Sequence, residues 1–476
     1  MAGEANPSGD VHKDFAQDLA AFAAGLEFAS LDPAVVEAVK TDLFDTLACA
    51  VAGSSAPGVD EVRTLVNQWG GAPEASVFVF GDRIPAHHAA WLNGTMSHAR
   101  DYDDTHDAAV LHAGVSVIPA ALAAADLRGG VSGADLIAGI AAGLETISRL
   151  GLATRIGIIE SGYMYTSLMG HFAATLAASR VLGLDHAQTV NALGIDYSMA
   201  AGNHQVTRDA ALTKRMQPGF AAMSALIAVQ LARRGVRGAQ STFEGEDGFF
   251  RVYLHDRVDR EQVRDGLGQR FEFTRLSFKP YPCCRFNHTV IEAALRLRAG
   301  LAGRIDRIRS IEVGLNHQAF QAVCTPDEIR RAPKTIVQAQ FSVPYTVAAA
   351  LVDGEVGLGH FTPDLADRAD IMALAKKVHP RVDPEIESRY GRTISPARLE
   401  IVLEDGQRLI DWVEMPLGHP DRPMSRADFD RKAADCLRAS AVDLDPRVML
   451  RLRERVDGLE SLGDSAQLSR FHEAGV

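Results

Sequence analysis

The sequence predicts a mainly α protein with a second α+β domain: a large all-helical domain interrupted by a smaller α+β lid domain. Three observations predict it. Up to about residue 270, apolar positions recur at helical spacing and almost nothing alternates with period two. Alternation then appears, with Ile311, Val313 and Leu315 on one strand face and Leu399, Ile401 and Leu403 on another. From Met424 to Leu462 the helical pattern returns. The chain therefore divides at 13–275, 276–418 and 419–470, the first and last segments building one helical domain.

Taken in order, residues 1–12 read as disordered and a helix is expected over Phe15–Phe28. The next helix starts on Asp32 as cap with Pro33 in the first turn, and Gly53 stops it. Ala75–Gly81 reads as a short strand or extended arm. Ser132 with Asp135, and Asp185 with Gln188, have the spacing of capping boxes. Small-residue helices are expected over 166–182 and 217–235. In the second domain, Asp405-Gly406 is a hairpin turn leading to a return strand with Val413 and Met415, and helices are expected near 343–352 and 364–377.

The chain has 476 residues, 47% hydrophobic and 23% charged, with a net charge of −12. That charge argues against a nucleic-acid partner, because phosphate binding needs a basic face. The five cysteines are odd in number and include no C-x-x-C pair, which fits a reducing compartment. The polar N-terminus has no apolar signal region, and the longest apolar run, Gly114–Ala125, is too short to span a bilayer. The expectation is a cytoplasmic protein with no membrane partner.

The chemistry is concentrated in residues 98–112, where Asp101, Asp103, Asp104, Asp107, His98, His106 and His112 surround Thr105. This polar cluster runs directly into an apolar helix, which fits a site better than a solvated surface. Three further segments carry candidates: Lys214-Arg215 just before a helix, Lys279-Pro-Tyr-Pro-Cys-Cys-Arg285 at the expected domain boundary, and Tyr345 leading into an apolar helix. Carboxylates and imidazoles also bind transition metals, but the spacing matches no closed metal site. No dinucleotide fingerprint, P-loop or nucleophile elbow occurs.

Asn93-Gly with His98-x-x-Asp101-Tyr-Asp-Asp-Thr-His106, Lys279-Pro-Tyr-Pro-Cys-Cys-Arg and Gln340-Phe-Ser-Val-Pro-Tyr345 together resemble the MmgE/PrpD family over about residues 15–460. That family includes 2-methylcitrate dehydratase, cis-aconitate decarboxylase and iminodisuccinate epimerase. The resemblance implies a homodimer with its active site between the two domains, a small di- or tricarboxylate substrate, and no metal or organic cofactor. It implies Asp101, Thr105, His112, Lys279 and Tyr345 as catalytic residues and Lys214 as substrate-binding. Two departures from the decarboxylase pattern stand out: the Thr105–His112 spacing is one residue longer than expected, and Met164 stands where a second histidine is usual, between Tyr163 and Tyr165. The implied chemistry is proton transfer at a carbon next to a carboxylate. Lys214, Lys279 and Arg285 would neutralise charge, His112 or a desolvated Lys279 would be the base, and Asp101 would orient His112 or Thr105. Tyr345, Tyr163 or Tyr165 would deliver a proton. A 2-methylcitrate dehydratase-like lyase is the leading expectation, with an epimerase as the alternative and a cis-aconitate-type decarboxylase after it. A non-enzymatic binding protein is the remaining one.

Overall fold

A computed structural model describes residues 13–391, 394 and 396–473. Residues 1–12, expected to be disordered, lie outside the described residues. The helical part is built on well-signalled starts. Helix Pro33–Gly53 begins where Asp32 accepts the Ala34 N–H, and its Val39, Leu43 and Leu47 are fully buried. Ser132 caps helix Gly133–Ala153, and Asp185 with Gln188 forms a reciprocal box at the start of His186–Tyr197. Some boundaries differ from expectation. The first helix stops at Gly25, with Phe28 in a separate 3-10 turn, and Tyr165–Leu168 is a turn of its own before helix Gly170–Leu182. Residues Ala75–Ser76 pair with Arg83–Ile84 as a short antiparallel ribbon.

One close crossing places two site residues. A Cβ on Gly94 would lie 2.8 Å from the Gly219 Cα, so helices Ala86–His98 and Gln217–Arg233 touch backbone to backbone. His98 ends the first of these helices and Lys214 lies just before the second, so the crossing brings both ends to one spot. The apolar run Gly114–Ala125 lies in helix Gly114–Arg128, and a longer, mostly apolar helix is Gly133–Ala153. It is long and apolar enough to cross a membrane, but it is packed almost wholly inside the fold, and that burial accounts for its composition.

The second domain has its own core, drawn from residues between Cys283 and Val413. Its four-stranded sheet has the order Val378–Val382, Ile308–Leu315, Ala397–Leu403, Arg408–Val413. The hairpin around Asp405-Gly406 is present, with Gly406 at φ +85°, but Met415 lies beyond the return strand. Strand Val378–Val382 runs parallel to Ile308–Leu315; its alternation of Val378, Pro380 and Val382 with His379 and Arg381 is short and has a proline at its centre, so the sequence does not announce it as a strand. It sits at the sheet edge, where Pro380 needs no ladder hydrogen bond and His379 and Arg381 face solvent. The C-terminal helices Arg426–Arg438 and Val448–Asp457 return to the first core. There Lys432 lies 2.6 Å from Asp45 and donates to the Tyr102 carbonyl.

Candidate active site

The loop between helices Ala86–His98 and Gly114–Arg128 carries the polar cluster. Asp101 has φ +54°, a left-handed conformation that is strained for a residue with a side chain. The strain has a structural consequence: Lys279 Nζ donates to both the Asp101 carbonyl, at 2.9 Å, and its Oδ1, at 3.1 Å. Lys279 reaches this point because Thr105 and Ser277 exchange backbone hydrogen bonds of 2.8 and 2.7 Å, joining the polar loop to the segment between domains. Lys214 Nζ lies 3.5 Å from the same Asp101 oxygen. Burial alone would raise the Asp101 carboxyl, but the two ammonium groups outweigh it and hold it well below the usual range. Burial pulls Lys279 down, yet Asp101 and Asp103 together keep it above its ordinary value. Lys279 is therefore a fixed cation and not the desolvated base that the sequence allowed.

The carboxylate that orients His112 is Asp103, not Asp101. Asp103 Oδ2 lies 3.0 Å from His112 Nδ1 and 2.8 Å from His98 Nδ1. His112 Nδ1 also faces the Asp104 carbonyl at 2.5 Å. Both its neighbours are pure acceptors, so Nδ1 carries a hydrogen and Nε2 is the nitrogen left to take up or give a proton. By the same reasoning His98 Nδ1–H donates to Asp103, and its Nε2 accepts from Lys214 at 3.3 Å. Burial, more than any neighbour, pushes His98 down to about 4, so its ring is neutral. Asp103 is wholly buried; the two imidazoles outweigh that burial and hold it ionised. Asp104 accepts the Ala113 and Gly114 amides at 2.7 and 3.1 Å and so caps the apolar helix. Burial and then Asp103 raise it to about 6. His98, Asp103 and His112 place ligand-type atoms within 4.8 Å of one another, and here those atoms are joined by hydrogen bonds.

A cavity of about 170 Å³ opens between the two domains, with Asp101, Thr105, His112, Lys214, Lys279 and Arg285 in its wall. Thr105 donates its hydroxyl to Leu111 O at 3.3 Å. Arg285 pairs with Asp107 at 3.4 Å and donates to the Leu417 carbonyl, while its buried Nη2 has no hydrogen-bond partner. Three cations thus stand against two carboxylates, a surplus suited to an anion.

The tyrosines do not join them. Tyr345 is 1% exposed in the second core and donates its hydroxyl to His360 O at 2.6 Å. Tyr165 donates to Ile156 O, and Tyr163 packs edge-on against Tyr253. Met164 lines the cavity, while His171 is turned to Ser224 and Asp196. His204 and Gln318 also line it, each with a buried side-chain atom lacking a partner, His204 Nδ1 and Gln318 Oε1. Neither lies in a motif, so only the fold could reveal them. Asp103 and His98 were visible as part of a dense cluster, but their division of labour was not.

A mainly helical domain, an α+β domain and a cation-rich cavity holding an oriented imidazole define a two-domain acid–base enzyme. Residues 17–262 match the MmgE/PrpD N-terminal domain and residues 281–453 the MmgE/PrpD C-terminal domain. The chain belongs to the MmgE/PrpD family. It is 29% identical to the cis-aconitate decarboxylase-like protein oryM of Aspergillus oryzae, over 91% of this chain and 92% of that one. It is 28% identical to cis-aconitate decarboxylase of Aspergillus terreus, over 81% of each, and 25% identical to that of Homo sapiens, over 88% and 87%.

Proposed function

We propose that this protein is a cofactor-independent lyase of a di- or tricarboxylate, with decarboxylation of a cis-aconitate-like unsaturated acid as its leading reaction. One observation carries the reading: His112, backed by Asp103, shares a cavity with Lys214, Lys279 and Arg285. The substrate's retained carboxylates pair with these cations. The bond to the departing carboxylate breaks and carbon dioxide leaves. Its electron pair passes through the neighbouring double bond, and the distant alkene carbon takes a proton from His112 Nε2. Asp103 offsets the positive charge on the ring before that proton is given up. Dehydration and epimerisation begin instead with proton removal by the same nitrogen. The named activity of the relatives favours decarboxylation over the dehydration that the sequence put first. We place the substrate-covering lid at 276–418 and take the active form as a homodimer, which light scattering checks.

The test is proton NMR in deuterium oxide with cis-aconitate, citrate, 2-methylcitrate and iminodisuccinate stereoisomers. Carbon dioxide release with one deuteron incorporated is the expected result. A new alkene from a hydroxy acid would replace decarboxylation with dehydration, and a bare change of stereoisomer would replace it with epimerisation. Inertness towards all four would overturn the lyase reading.

A further inference from the structure

The positive charge in the cavity falls short of what a tricarboxylate carries. Lys214, Lys279 and Arg285 stand in its wall, and Asp101 and Asp107 already match two of those three charges. A ligand with three carboxylates therefore needs a further partner. His204 lines the same cavity, and its Nδ1 is buried with no hydrogen-bond partner. A polar atom left unpaired in a cavity wall is a place where a bound molecule completes the bonding.

The segment that carries His204 is held from two sides. The His204 N–H donates to Gly162 O at 2.8 Å, and the Asn203 N–H donates to Gln217 Oε1 at 2.8 Å. Gln205–Arg208 then makes one helical turn, so His204 and Arg208, four residues apart, lie on the same face. Arg208 is exposed in the wall of a second chamber of about 410 Å³, which His204 also lines. No ion pair engages Arg208 among the described residues. His204 thus stands at the mouth of the cavity, with Lys214 on its inner side and Arg208 on its outer side. Burial first, then Arg208 and Lys214, lowers its pKa. It has no carboxylate partner of the kind that Asp103 is to His112, so its ring is neutral and offers a hydrogen bond in place of a charge.

We propose that His204 and Arg208 form a further carboxylate subsite at the mouth of the cavity, which selects a tricarboxylate over a dicarboxylate. Two carboxylates lie at Lys214, Lys279 and Arg285. The third accepts the His204 Nδ1–H and faces the Arg208 guanidinium. His204 is a specificity-determining residue, and His112 remains the proton carrier. The subsite deepens the lyase reading and rests on it for the place of the other two carboxylates.

Calorimetry with tricarballylate and glutarate, the same carbon chain without the central carboxylate, tests the subsite without requiring turnover. The parent should bind tricarballylate more tightly, and the ratio of the two Kd values is the readout. His204→Ala should lower that preference about tenfold, the effect of losing one hydrogen bond to a charged group. His204→Gln, which keeps an N–H donor, should restore most of it. Arg208→Glu, at an exposed position, should lower the preference about fivefold and carries the test if His204→Ala does not fold. Equal binding of the two ligands by the parent, no binding of either, or variants that weaken both ligands alike overturns the subsite. Turnover of cis-aconitate, measured alongside, separates the two claims. Turnover with an unaltered preference in the variants sinks the subsite alone, and an altered preference without turnover in the parent sinks the reaction alone.

Discussion

Lys279 holds Asp101 by both its carbonyl oxygen, at 2.9 Å, and its carboxylate, at 3.1 Å. A side chain that fixes a strained backbone and neutralises a buried charge has two ways to matter. Lys279→Ala removes both. It should lower stability by about 3–5 kcal/mol, the usual effect of leaving a buried charge unpaired, and abolish measurable turnover. Thermal unfolding beside activity checks it. Activity retained in a folded variant would remove Lys279 from the site.

Asp103 acts through His112 and is a positioning residue. Asp103→Asn keeps the shape but can present an amide N–H to Nδ1, which favours the wrong tautomer. We expect kcat to fall about 10²- to 10⁴-fold, by analogy with other oriented imidazoles, with KM little changed. The pH–rate profile should lose the limb that reports the imidazole. An unchanged profile with kcat within threefold would leave Asp103 with only a structural part.

Asp42 is wholly buried beside Asp104, Asp45 and Asp103, with Lys432 the cation near it, and neither of its oxygens has a hydrogen-bond partner. Burial and then Asp104 raise its pKa well above normal. For a raised carboxyl, folding is favoured below the unfolded value near 3.9, and that advantage is lost as pH rises through the folded value. The loss is about 1.4 kcal/mol per pH unit in that window. Asp42→Asn, which cannot ionise, should therefore unfold at a higher temperature than the parent at pH 8, with the difference shrinking towards pH 4. A difference that grows on acidification would reverse the assignment.

Tyr345→Phe breaks the bond to His360 O without touching the cavity. The expected outcome is about 1 kcal/mol of lost stability and turnover within threefold of the parent. A hundredfold loss of kcat would restore Tyr345 as a proton donor.

Dialysis against EDTA should leave turnover unchanged. Activity lost and then restored by a single divalent metal would turn His98, Asp103 and His112 from a hydrogen-bonded set into a ligand set.

The fold was legible where local signals and tertiary packing agree. Asp32-Pro33, Ser132 and Asp185–Gln188 mark helix starts that the structure keeps. The strands of residues 308–315 and 397–403 follow longer apolar alternation, whereas Val378–Val382 alternates over only five residues around Pro380, which an edge strand tolerates and a sequence pattern reads as a break. Within the site, density of polar residues located the loop but could not assign partners. Asp101 and Asp103 are two residues apart, and only the left-handed turn at Asp101 sends one to the lysines and the other to the imidazoles. Tyr345 follows a motif in sequence yet faces the core of its own domain, since helix Val343–Asp353 is buried along most of its length.

The carboxylate of Asp101 already lies between Lys214 and Lys279 before any substrate arrives. Half of the charge of those two lysines is thus already matched within the protein, and a ligand is held by the surplus that Asp101 leaves. A product with one carboxylate fewer than its substrate would lose a large share of that hold at the moment it forms. An ion pair buried for the sake of binding would then also set how quickly the site empties.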